Sequence, residues 1–174
     1  RYDPDYAGTF DGTDRTLHPH RDHGSALPER DLQHVEALYH AEISELNEPL
    51  ERLLASLDGS EIVVITADHG ESFGHGYYFN HRASLMDEVL HVPLVIRASE
   101  LLAGRDERLA GLIDVMPTVL DLAGVAVPAS VQGRTLRGAI RETVGSRTDP
   151  FIPPSWFSVR RATHKVVWPV SPAG

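Results

Sequence analysis

Residues 61–76 read Glu-Ile-Val-Val-Ile-Thr-Ala-Asp-His-Gly-Glu-Ser-Phe-Gly-His-Gly. Ile62, Val63, Val64 and Ile65 run into Thr66 and Ala67, and Asp68, His69 and Gly70 follow at once. The apolar, β-branched run predicts a buried strand over 61–66. A carboxylate and an imidazole at the carboxyl end of a strand in an open α/β sheet lie where such sheets bind ligands. Asp offers a hard oxygen and His a borderline nitrogen, so Asp68 and His69 can hold one divalent metal. Asp and Gly are also common in turns after strands, and the dipeptide alone is open to that reading too. Gly70 lets the backbone turn sharply behind the pair. His75 and His81 belong to the glycine-rich loop that follows.

Upstream of this strand, Leu32, Val35, Tyr39, Ile43, Leu46, Leu50, Leu53 and Leu57 recur in steps of three or four. That spacing predicts an amphipathic helix over 31–57 lying on a sheet. Pro28 fits its first turn, Pro49 should kink or divide it, and Asp58-Gly59 should end it. A helix feeding a strand suggests an αβ unit on a mainly parallel sheet. Downstream, Ser84–Leu90 reads as a short helix with Ser84 as cap and Asp87 at the third helical position. Val92–Arg97 reads as a second buried strand, with Pro93 near its start. Residues 99–110 read as surface loop. Asp114 caps a helix that runs through Ala123 and stops at Gly124. Residues 125–154 form a long connection, and 155–168 alternate partially, as one or two strands of a small antiparallel element would. Residues 1–30 show no sustained period and read as loop or linker.

The composition excludes several classes. With 174 residues the chain can build one domain with a real core. A formal net charge of −9 argues against a nucleic-acid partner. Without cysteine there is no disulfide, thiol nucleophile or thiolate metal site. No apolar run approaches the ~18 residues of a membrane-spanning helix. Arg1-Tyr2-Asp3-Pro4 shows neither an initiator Met nor an apolar signal region, and it reads like the middle of a longer protein.

The order of several segments resembles the sulfatase family of the alkaline-phosphatase-like superfamily. They are Val63–Glu71, Phe73–Gly76, Leu85–Glu88, Val92–Ile96 and Asp114–Gly124, with Leu38–Ile43 and Gly133–Leu136 in the expected places. The resemblance covers most of residues 31–138. It implies an α/β fold, an alkaline-phosphatase-like mixed sheet between helices. This chain would hold a partial domain, with the start of a small C-terminal antiparallel element. Residues 1–30 would be linker, 31–145 the C-terminal half of the catalytic domain, and 146–174 the small sheet.

The resemblance also implies an activity, metal-assisted hydrolysis of sulfate esters. Asp68 and His69 match the family's metal-binding pair. His81 falls where the family places a substrate-contacting Lys or His, and His75 falls at its glycine-flanked His, one residue short of the usual spacing. The implied metal is divalent; Ca2+ is usual in the family, while an Asp-His pair also suits Mn2+ or Zn2+. The implied partner is a small-molecule or saccharide sulfate ester. Asn47 and Pro49 depart from the family's helix. The family's Cys/Ser-x-Pro-x-Arg nucleophile motif and its first metal-binding aspartates do not occur in this chain, so by itself it is expected not to turn over substrate. A phosphonate or phosphodiester hydrolase, a phosphoglycerol or phosphoethanolamine transferase, and a non-catalytic binding module are the competing readings.

Other residues carry two readings each. Glu71 is either a partner to metal ligands or solvent-exposed. Arg82 either helps hold an anion or forms a surface ion pair. His18, His20 and His23 can bind zinc in principle, or are solvated loop residues. His91 is read as structural, and Trp156 and Trp168 as packing residues of the terminal sheet.

Overall fold

The computed structural model describes residues 29–73, 84–139, 141–148 and 155–170. Pro28, the His18, His20 and His23 group, His75, His81 and Arg82 lie outside them. The chain forms two compact units, one holding the N-terminal helices and Glu71–Phe73, the other holding the strands and the later helices.

In the first unit, α1 spans Glu29–Glu45 and α2 spans Asn47–Ala55. The division falls where Pro49 requires it. Proline has no N–H to donate to the carbonyl four residues back, which belongs to Glu45, and α1 ends at that residue. Pro49 itself becomes the third residue of α2, where a missing donor costs nothing. Val35 and Ala37 are buried on α1, and Phe73 meets Tyr39 edge-on with ring centroids 5.0 Å apart. Along α2 no residue is buried, although the periodicity predicts a covered face. The helical run ends at Ala55, with Ser56 as its C-cap, a few residues before the expected Asp58-Gly59 stop.

In the second unit, β1 (Val63–Thr66), α3 (Asp87–Leu90) and β2 (Leu94–Arg97) come first. β1 and β2 pair antiparallel, in register from Val63 opposite Arg97 to Thr66 opposite Leu94. The expectation of a mainly parallel sheet is therefore corrected for this pair: β2 runs back along β1 rather than alongside it in the same direction. Thr66 Oγ1 donates to the Pro93 carbonyl at 2.8 Å and closes this end of the pair. Neither strand is fully buried; β2 alternates between half-buried Leu94 and Ile96 and exposed Val95 and Arg97. The expected Ser84 cap is also corrected. Met86 occupies the cap position of α3, and Ser84 Oγ, two residues earlier, accepts the Met86 N–H.

A 3₁₀ turn over Leu112–Asp114 leads into α4, Val115–Leu122, and Gly124 follows with φ +68°. Asp114 does not cap α4 with its side chain. Its carboxylate is 0% exposed and accepts the Gly111 N–H at 3.0 Å, the Arg134 N–H at 3.0 Å and the Arg141 guanidinium through Nε at 2.9 Å and through a second nitrogen. Thr118, one turn on, accepts the Leu136 N–H at 3.0 Å, and Asp121 accepts the Thr135 hydroxyl at 2.6 Å. Residues 114, 118 and 121 share one face of the helix, so α4 holds the 134–136 strap along its length. Gly133 is required where the strap crosses: a Cβ there would sit 1.9 Å from the Ile113 carbonyl oxygen. Arg108 forks onto Asp106 and donates to the Leu136 carbonyl at 3.0 Å, which ties in the 99–110 loop.

The C-terminal sheet has order β3-β4-β5, all antiparallel: Val144–Arg147, Trp156–Arg160 and Lys165–Pro169. The partial alternation of 155–168 thus becomes two strands. A third, β3, lies inside the stretch expected to be connection. Phe157 and Trp168 pack ring to ring at 5.0 Å, and Ser158 is buried. No described helix is long and apolar enough to cross a membrane.

Removing one partner of a buried ion pair strands the other charge. Asp114→Asn is therefore expected to destabilise the protein by about 3–5 kcal/mol, measured by urea unfolding; a loss below about 1 kcal/mol would sink the assignment of Asp114 as the hub. Burial pushes the Asp114 carboxyl up, but Arg141 and the Arg134 and Gly111 amides more than reverse it, leaving it below the usual carboxylate range. The stabilisation is thus fully present above the unfolded value of about 3.9 and is lost as pH falls through the lower folded value. An acid-unfolding series should show this component in the wild type and lack it in Asp114→Asn.

Candidate functional site

β1 delivers Asp68 and His69 to the turn at its carboxyl end. Asp68 Oδ1 accepts the His69 N–H at 3.0 Å, which turns the carboxylate back toward the imidazole. The remaining oxygen, Oδ2, lies 3.8 Å from His69 Nε2. The Asp68 side chain is 90% exposed and that of His69 40% exposed, so both donors reach the surface of the unit.

The His69 ring is oriented by its own backbone. Nδ1 lies 3.0 Å from the Gly70 carbonyl oxygen. A carbonyl only accepts, so Nδ1 carries the proton, and in the neutral ring Nε2 carries the lone pair. This is the arrangement of a metal-binding histidine whose second nitrogen is held by an acceptor. A carboxylate oxygen and an imidazole nitrogen 3.8 Å apart can share one ion with bonds of about 2.0–2.6 Å. The donor chemistry therefore fits a divalent cation. Two protein donors do not complete its shell, and among the described residues no group of three or more His, Asp or Glu gathers to do so.

Gly70 is held from the other side. Its N–H donates to the Val89 carbonyl at 2.8 Å, and a Cβ on it would stand 2.0 Å from the Glu88 carbonyl oxygen. Only glycine allows α3 to press its backbone so close to the turn. The role of Gly70 is therefore close approach as well as a sharp turn.

Of the other expected site residues, Glu71 is half-buried, and His91 is exposed at the end of α3, with its N–H on the Asp87 carbonyl at 2.8 Å. His75 and His81 lie outside the described residues. Sequence reasoning did not single out the pair of cations on Asp87. Lys165 Nζ donates to Asp87 Oδ1 and to the Leu85 carbonyl, each at 2.5 Å, and Arg160 reaches Asp87 Oδ2. The one available signal was that Lys165 is the only lysine in the chain.

The family match and the structural neighbours place the protein in the alkaline-phosphatase-like superfamily. The chain belongs to the sulfatase family: the family model described as Sulfatase matches residues 1–125. Arylsulfatase K of Xenopus laevis is 27% identical over 74% of this chain and 25% of that protein. The delta 4,5-hexuronate-2-O-sulfatase of Bacteroides thetaiotaomicron is 32% identical over 56% of this chain and 21% of that protein. The structure of BT4656 in complex with its substrate D-glucosamine-2-N,6-O-disulfate shares the fold with a TM-score of 0.59, at 23% identity over 72% of this chain and 29% of that one. The chain spans about a quarter of the length of the curated relatives it matches.

Gly70→Ala must push the turn away from α3. The expected result is a loss of about 1–3 kcal/mol from overpacking and faster amide exchange at residue 70. An alanine variant with wild-type stability and exchange would contradict the close approach.

Proposed function

We propose that this chain forms part of the active site of a hydrolase that cleaves sulfate esters. The observation that carries the reading is the Asp68-His69 pair at the end of β1, with Nδ1–H on the Gly70 carbonyl and Nε2 3.8 Å from the Asp68 carboxylate. In this reading Asp68 and His69 are two ligands of a divalent metal. The remaining ligands and the nucleophile come from elsewhere in the protein, because two donors do not fill a divalent shell. Ca2+ is the favoured ion, with Mn2+ or Zn2+ compatible with the imidazole. When bound, the metal polarises the ester oxygens and helps activate the nucleophile.

The other assignments follow the family pattern. His81, and with it His75, contacts the sulfate group. Protonated, each places positive charge where negative charge develops on the transferring group or the leaving oxygen. The net charge of −9 makes such local cations necessary for an anionic ester. The substrate class is a small-molecule or saccharide sulfate ester. The names of the hexuronate sulfatase and of the BT4656 complex support it, since both concern sulfated sugars.

Asp68→Ala and His69→Ala in the full-length protein are each expected to cut sulfate-ester hydrolysis by at least about a hundredfold. Because Asp68 is 90% exposed, its loss should move stability by no more than about 0.5 kcal/mol. Parallel assays of sulfate ester, phosphonate and phosphodiester hydrolysis, with unfolding midpoints for each variant, check this. Full activity in either variant would remove the ligand assignment. A wild type that cleaves only phosphonates or phosphodiesters would replace the substrate class.

A further inference from the structure

The two donors of the strand-end turn have exposed side chains, so what sets their geometry is the backbone between them and α3. That backbone can be followed outward. The Gly70 carbonyl holds the His69 ring at Nδ1, 3.0 Å away. The Gly70 N–H is held at 2.8 Å by the Val89 carbonyl, and the Glu88 carbonyl lies against the glycine. Both carbonyls belong to α3, a single turn of four residues. So short a helix has little intrinsic stability and depends on outside contacts. Val89 supplies one, with its side chain buried.

Further contacts come from the C-terminal sheet. Arg160, at the end of β4, and Lys165, at the start of β5, are direct cross-strand partners. Two like charges opposite each other repel unless a counter-charge lies between them. Here the counter-charge is Asp87, the first residue of α3: Lys165 Nζ meets Oδ1 at 2.5 Å and Arg160 meets Oδ2. The same ammonium also takes the Leu85 carbonyl at 2.5 Å, so it grips both the approach to α3 and its first residue. The Lys165 side chain is only 13% exposed, while that of Asp87 is 54% exposed, so the contact is sheltered on the lysine side and open to solvent on the aspartate side. Lys165 is the only lysine in a chain whose other cations are all arginine. A compact ammonium with three donors can bond a carbonyl and a carboxylate together in a narrow space.

We propose that Lys165, with Arg160 and Asp87, is a positioning clamp through which the C-terminal sheet fixes α3, and α3 fixes Gly70 and the ring of His69. The proposal rests on the reading of Asp68 and His69 as metal ligands. None of the three clamp residues touches the metal or substrate; they act by holding the turn. The Asp87 carboxyl agrees with this: the Lys165 hydrogen bond, against a smaller opposing effect of burial and with Arg160 adding to it, holds it below the usual carboxylate range.

The test is made on the full-length protein with Lys165→Met, Lys165→Arg and Asp87→Asn. Two quantities are read: amide hydrogen exchange at Gly70 against the amides of β1 and β2, and Mn2+ affinity by calorimetry, with Asp68→Asn as the control that lacks a ligand. Lys165→Met and Asp87→Asn should each speed Gly70 exchange roughly tenfold while the strand amides stay unchanged. They should also weaken Mn2+ binding by about tenfold, and Lys165→Arg, which keeps the charge but not the compact ammonium, should recover only part of both. Equal acceleration at Gly70 and in the strands would show general loosening and overturn the clamp. No change at Gly70 would overturn it as well. If Lys165→Met does not fold, Arg160→Met removes the second cation from Asp87 and is read in the same way. If the wild type binds neither Mn2+ nor Ca2+, the ligand reading fails, while Gly70 exchange still decides whether the clamp exists.

Discussion

The second unit depends on one carboxylate taken out of water. Asp114 is completely buried, and an unpaired charge in that position would cost several kcal/mol. It is tolerated because four donor groups converge on it, two of them backbone amides and two from one guanidinium. Those donors come from three places in the chain: the start of the 3₁₀ turn, the strap after α4, and Arg141 just before β3. Satisfying a single buried anion therefore sets where α4 begins, how the strap lies along it and where the C-terminal sheet starts. Thr118 and Asp121 continue the same interface with hydrogen bonds rather than apolar packing. This suits a segment in which few large hydrophobic side chains are buried.

A second constraint is steric and acts at the site. Gly70 and Gly133 do the same job in different places: each lets a carbonyl come within about 2 Å of where a Cβ would stand. At Gly133 the result is a strap seated on the 3₁₀ turn. At Gly70 it is the Asp68-His69 turn braced against α3. Both glycines lie in segments that resemble the sulfatase pattern, and the geometry supplies a reason for each that does not involve catalysis.

What was legible in the sequence had a local cause. The apolar run ending at Asp68-His69, the helix division at Pro49 and the stop at Gly124 each follow from the preferences of a few adjacent residues, and each appears in the structure. What was missed had a distant cause. An aspartate ahead of Val115-Met116-Pro117 looks like a helix cap. Nothing nearby shows that its partner is Arg141, 27 residues on. β3 contains Gly145 and Ser146 and lacks an apolar alternation, so only its pairing with β4 makes it a strand. The antiparallel sense of β1 and β2 was invisible for a related reason. A strand's polarity relative to its neighbour is a property of the connection, and the residues of the strand do not encode it.

The donors themselves make the last point about design. Asp68 has little packing around its side chain and His69 is partly covered, and the backbone that carries them is held on both sides, by the β1–β2 pair and by the Gly70 contact with α3. Exposed side chains on a fixed backbone keep their polar atoms accessible from solvent. Their geometry is still set in advance, and such preorganisation spares the ordering cost at the moment of binding. A buried pair would have been more rigid, but it would already have satisfied its charges internally, with less affinity left for a ligand. Exposed donors on a braced turn are what the proposed ligand role of the pair requires.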